Sequence, residues 1–82
     1  MERNEIIAEL KKIFISVFNH ENFEMNDGLS ANDVDGWDSL THMIIITDIE
    51  HRFRIKFKLR DLNKLNNLGN LVELVSSKIA SK

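Results

Sequence analysis

The sequence contains no cysteine and no proline. The first absence excludes a disulfide framework and any thiolate zinc site. There is also no internal repeat and no low-complexity tract, so nothing divides the chain into modules. At 82 residues it has room for one core, and residues 1–82 are read as a single domain. A domain of this size without covalent staples must rely on well-packed helices. Long apolar runs are missing too. The longest is Met43 to Ile46, far short of the roughly 20 residues of a membrane span. The opening residues MERNEII lack the apolar core of a signal peptide, and no glycine follows Met1. The expectation is a cytoplasmic protein with no membrane span.

What is present is an ordinary globular balance, 43% hydrophobic and 29% charged. The net charge of −2 conceals an asymmetry. Residues 21–50 hold Glu21, Glu24, Asp27, Asp33, Asp35, Asp38, Asp48 and Glu50 with no Lys or Arg, a formal charge of −8. Residues 51–64 hold Arg52, Arg54, Lys56, Lys58, Arg60 and Lys64 against Asp61, a formal charge of +5. Two readings stay open: solvated faces that partly neutralise each other, or a docking surface for an oppositely charged partner. An acidic chain whose basic stretch turns its aromatics to the apolar side is not read as a nucleic-acid binder.

Periodicity supplies the elements. Ile6, Leu10, Ile13, Phe14 and Val17 predict a helix over residues 4–18, with Asn4 as its cap. A long loop, NHENFEMNDGLSANDVDGWD, follows. Its Asn, Asp and Gly favour turns, while Phe23, Met25, Leu29, Val34 and Trp37 suggest that it packs down on the core. Loops of this length usually serve function. A second helix is predicted from Ser39 to Phe53. At about 100° per residue, His42, Ile45, Ile46, Ile49 and Phe53 share one stripe, while Leu40 and Ile44 fall on the other side. The alternation in RFRIKFKL places Phe53, Ile55, Phe57 and Leu59 together and has the look of a strand. No other segment offers a partner strand, so it is read as a helix end followed by an extended connection. RDLNKL is a short helix at best. NNLGNLVELVSSKIASK, residues 66–82, is read as the last helix, capped by Asn67 and weakened by Gly69 in its first turn. The expected fold is all-α: an up-and-down bundle of three main helices plus a short one. Its core is expected to hold Ile6, Leu10, Phe14, Ile45, Ile46, Ile49, Phe53, Leu71, Val72 and Val75.

The chemistry centres on VDGWDSLTHMIII. With Gly36 at the sixth position of a calcium loop, Asp33 and Asp35 fall correctly, but Ala31 and His42 stand where acids are required. His20, His42 and His51 have no metal-ligand spacing. Ser39 and His42 are one turn apart, yet Asp38 is badly placed to orient His42 for hydrolysis. Asp38 is the better helix cap. That leaves the Ser39 hydroxyl exposed at the positive end of a helix dipole, a place suited to a covalently attached phosphate. Nothing nearby would activate it, so a second enzyme would have to modify it.

GWDSL at the start of an apolar helix, after an amphipathic helix and a long loop, resembles the acyl carrier protein family over essentially the whole chain. The resemblance implies a carrier rather than an enzyme, with 4'-phosphopantetheine on Ser39 and acyl groups held on its thiol as thioesters. Asp38 and Leu40 match the motif's recognition positions. The implied partners are a phosphopantetheinyl transferase and acyl-loading and acyl-transferring enzymes, met through Asp35, Ile44, Asp48 and Glu50, with the carrier itself a monomer. Thr41 and Ile44 stand where members serving fatty acid synthesis commonly have carboxylates. With Trp37 before D-S-L, the chain is more similar to stand-alone carriers of specialised, polyketide-like pathways. The alternative is a small helical adaptor that docks a partner through its second helix with no prosthetic group.

Overall fold

The computed structural model describes residues 1–81. Helix α1 spans Arg3–Phe18, α2 Ser39–Phe53, α3 Leu59–Leu62 and α4 Leu68–Ala80, with a 3-10 turn at Ala31–Asp33. The fold is the expected bundle of three long helices and a short one, and among the described residues there is no strand. Helix α1 packs against both α2 and α4. The radius of gyration, 11.7 Å, is what a compact chain of this length requires. Among the described residues no helix is long and apolar enough to cross a membrane.

Every residue expected in the core is buried. Ile13, Phe18, Leu29, Val34, Ile55 and Leu68 join them. Leu29 and Val34 come from the long loop, with Phe23, Met25 and Trp37 packed partly buried against the same cluster.

Helix ends follow local chemistry. Helix α1 is capped at Glu2 rather than Asn4. The Glu5 carboxylate reaches back to accept from the Glu2 N–H at 3.1 Å, which draws the start outward and leaves Asn4 inside the first turn. Asn19 ends the helix in the left-handed region at φ 63°, a conformation Asn tolerates. Asn67 caps α4 as expected, its Oδ1 accepting from Asn70 N–H at 2.9 Å.

The strand-like alternation has a different origin. Helix α2 ends at Phe53, and Arg54 turns left-handed at φ 56°. The N–H groups of Arg54 and Ile55 both donate to the Glu50 carbonyl. The reversal lets Phe53, the last helical residue, and Ile55, the first extended one, both reach the core. Phe57 is half-buried, and its N–H donates to the Glu50 carboxylate at 2.9 Å. Leu59 breaks the expectation. It is 77% exposed, because α3 begins there and the period of two ends.

Gly69 does more than weaken a helix. Leu68 N–H donates to Leu29 O at 2.8 Å and Gly69 N–H to Asp27 O at 3.0 Å. The loop thus uses donors that a helix start leaves free. A β-carbon on Gly69 would lie 3.0 Å from Asp27 Cβ and 3.2 Å from Asp27 O. Asp27 is held in turn by an ion pair with Arg3. In a free helix, Gly→Ala gains about 0.8–1.0 kcal/mol. Here Gly69→Ala is expected to lower the unfolding free energy in urea by about 1 kcal/mol, through crowding of a fixed neighbour. Gly28→Ala, whose β-carbon would meet only the Asn26 side chain at 3.7 Å, should stay within about 0.5 kcal/mol of the parent. A gain in stability for Gly69→Ala would show that the loop is not seated on α4.

Candidate functional site

Ser39 is the first residue of α2, and it is exposed. Its position is set by a closed set of hydrogen bonds. Asp38 has extended backbone angles, and its Oδ1 accepts from Thr41 N–H at 2.9 Å. Thr41 Oγ1 accepts from Asp38 N–H at 2.9 Å and donates to Gly36 O at 2.7 Å. Thr41 therefore completes a capping box and also ties the helix to the loop before it. This role was open to sequence reasoning, since the spacing Asp-x-x-Thr marks it. Gly36 sits at φ +90°, a turn that favours glycine. The Thr41 N–H holds the Asp38 carboxyl below the ordinary aspartate range, partial loss of water opposing it.

The loop behind Ser39 is anchored by rings. Trp37 meets Phe14 edge-on at 5.2 Å and lies 5.8 Å from Phe18. Its indole Nε1–H donates to His42 Nδ1 at 3.2 Å, with the two rings stacked. His20 accepts the Asn22 N–H on Nδ1 at 3.0 Å, so its Nε2–H donates to Asp35 O at 2.7 Å. This pins the residues just ahead of the site. Neither histidine contact was visible from spacing, because each depends on the folded loop.

An open cleft of about 520 Å³ adjoins Ser39, within the range that accommodates a small organic group. Trp37, Asp38, Ser39, His42 and Met43 form one side, and Leu65, Asn66, Asn67 and Leu71 face them from the α3–α4 side. The cleft supplies no base for the serine. Asp38 Oδ1 accepts from Thr41 N–H, which lowers the carboxyl pKa and with it the basicity, and the His42 lone pair is taken by the Trp37 N–H. A hydroxyl so placed is accessible but not activated.

The positions expected to meet partners differ in their surroundings. Asp35 is exposed at the site end. Ile44 is exposed on the outer side of α2 with Leu40, the latter 72% exposed. Met43, not singled out in the sequence, is exposed beside them. Asp48 is half-buried in a groove with Lys12, Ser16 and His51. Glu50 is half-buried and holds the Phe57 N–H. Among the described residues no ion pair joins the acidic and basic stretches. Arg52 pairs with Glu9, and Asp61 with Lys78 at 2.9 Å.

Burial pushes the His42 imidazole below its ordinary value of 6.5. The folded pKa thus lies below the unfolded one. The stability contributed by neutral His42 is complete above pH 6.5 and is lost as pH falls through the folded pKa. Protonation also ends acceptance from Trp37, since Nδ1 then carries a proton. Fluorescence of Trp37, the single tryptophan, should therefore change with a midpoint below 6.5, and His42→Phe should abolish the transition. A midpoint at or above 6.5 would contradict the burial of this ring.

Comparison with known proteins agrees with this geometry. A family model described as "phosphopantetheine attachment site" matches residues 5–75. The solution NMR structure of a holo acyl carrier protein from Geobacter metallireducens superimposes with a TM-score of 0.85 at 43% identity. The match covers 92% of this chain and 86% of that one. No curated protein matches. An exposed, unactivated serine at the start of α2, a fold shared with a holo carrier, and the family match over most of the chain lead to one assignment: the chain belongs to the acyl carrier protein family, whose prosthetic group is covalently attached phosphopantetheine.

Proposed function

We propose that Ser39 Oγ carries 4'-phosphopantetheine as a phosphodiester and that the arm's thiol holds acyl groups as thioesters. The chain performs no catalysis and hands its cargo from acyl-loading to acyl-transferring enzymes. The observation that supports this reading best is the exposed Ser39 hydroxyl, set directly after the Asp38 cap and beside an open cleft. The helix start favours the phosphate's negative charge. The absence of a free base at Ser39 leaves activation to the transferase. Asp38 and Leu40 flank the serine as recognition positions. With no cysteine in the chain, the reactive thiol comes entirely from the cofactor.

The pathway we favour is a specialised, polyketide-like one rather than general fatty acid synthesis. What supports it is the outer side of α2, where Leu40, Met43 and Ile44 are exposed and Thr41 is spent on the cap. A cluster of this kind suits the apolar centre of a partner interface. Asp35 and Asp38 would add salt-dependent steering toward a basic partner, with Asp48 at the edge and Glu50 contributing only if it leaves Phe57. The basic stretch would disfavour partners built for a uniformly acidic carrier.

Incubated with coenzyme A, magnesium and a phosphopantetheinyl transferase, the protein should gain one phosphopantetheine by intact mass, and Ser39→Ala should gain none. No gain with several transferases, together with tight partner binding by the unmodified chain, would favour a helical adaptor instead. Ile44→Glu should weaken binding to the native partner roughly tenfold and improve use by fatty acid synthase enzymes. If neither changes, Ile44 is simply an exposed apolar residue and the pathway argument fails.

A further inference from the structure

The cleft beside Ser39 holds a histidine whose tautomer the fold dictates. Trp37 Nε1 can only donate, and it lies 3.2 Å from His42 Nδ1. Nδ1 must therefore carry the lone pair, and the proton of the neutral ring sits on Nε2. The stack with Trp37, 6.2 Å between centroids and 20° between planes, resists turning of the imidazole. Trp37 is itself held by Phe14 and Phe18.

The Nε2–H has no acceptor among the described residues. It belongs to a ring that lines the cleft together with Ser39. Residues three apart on a helix are neighbours, with β-carbons about 5–6 Å apart. The other polar groups there are differently placed. Asp38 Oδ1 and Asn67 Oδ1 accept from Thr41 and Asn70 N–H, and the side-chain amides of Asn66 and Asn67 lie across the cleft, on the α3–α4 side. Ala31, Met43, Leu65 and Leu71 contribute apolar surface. His42 thus offers an oriented, unused donor one turn from the attachment point.

We propose that His42 Nε2–H donates to an acceptor oxygen of the phosphopantetheine arm on Ser39, the phosphodiester oxygens being nearest, and so holds the arm against the cleft. His42 is a positioning residue in this account, which rests on attachment at Ser39. A donor meeting an anionic oxygen makes a charge-assisted bond, stronger than a neutral one. Trp37 becomes a functional residue at one remove: its N–H keeps the His42 proton on the nitrogen that is free to use it.

The test uses the full chain, labelled with ¹⁵N, as apo protein and as holo protein made with coenzyme A, magnesium and a transferase. Long-range ¹H–¹⁵N correlation reads the tautomer. We expect Nε2–H in both forms, with its solvent exchange roughly tenfold or more slower in the holo form, the factor of one charge-assisted hydrogen bond. The ³¹P resonance of the phosphodiester should shift in His42→Phe and less in His42→Gln, which keeps an N–H donor. A ³¹P resonance unmoved in His42→Phe, with an arm amide proton shifted instead, would identify an arm carbonyl as the acceptor and keep the donor's role. An Nδ1–H tautomer, or equal exchange in apo and holo protein, would overturn the proposal. Near-ultraviolet circular dichroism of Trp37 checks folding of the variants, and if His42→Phe does not fold, the apo and holo parent protein decide. Failure of attachment would show earlier, as no gain of mass, and so is distinguishable from failure of the His42 contact.

Discussion

Two backbone hydrogen bonds, Leu68 N–H to Leu29 O and Gly69 N–H to Asp27 O, join the long loop to the start of α4, and the placement of Ser39 depends on them. Ordering a loop costs roughly 1–2 kcal/mol of backbone entropy per residue, and residues 19–38 contain no long helix to offset it. The offset comes from tertiary contacts. Leu29 and Val34 are buried, and Phe23, Met25 and Trp37 pack against the core. The α4 start would otherwise leave its first N–H groups unpaired. Loop and helix end satisfy each other, and the close approach this needs is available because residue 69 has no side chain.

A second constraint acts at the other end of the loop. Phe14 and Phe18 of α1 and Trp37 of the loop form a cluster with Phe23. Such ring pairs add stabilisation beyond the area they bury. Gly36 turns the chain so that Trp37 enters this cluster, while the next residue, Asp38, faces outward as a cap. The apolar anchor and the polar cap are therefore adjacent in sequence but point opposite ways. This alternation is what brings Ser39 out to solvent on a rigid base.

Much of this was legible in the sequence. Helix α2, its Asp38 cap, the Asn67 cap of α4 and the central core all follow from the 3.6-residue period and cap chemistry, which are local properties. What escaped depends on contacts between distant segments. Glu2 replaces Asn4 as the α1 cap because of where the Glu5 side chain reaches. Leu59 is exposed because α3 starts there. Gly69 reads as a weak helix residue until Asp27 is seen above it. Thr41 is different: its capping-box spacing, Asp-x-x-Thr, is local and legible in the sequence. At the site, Ser39 was legible from D-S-L, whereas the Trp37–His42 bond required the folded loop.

That bond also bears on how little the site activates this serine. A serine nucleophile needs a neighbouring lone pair to take its proton. The site contains a histidine one turn away and an aspartate next door, the residue types a hydrolase uses, yet the histidine lone pair is taken and the aspartate is a weakened base. Asp38 is a weakened base, because the Thr41 N–H holds its carboxyl below the ordinary aspartate range. His42 is neutralised by an indole that can only donate. Among the described residues these contacts leave the His42 Nε2–H and the Ser39 Oγ without a protein partner. A site with spare donor capacity and no spare base suits holding a ligand better than cleaving one.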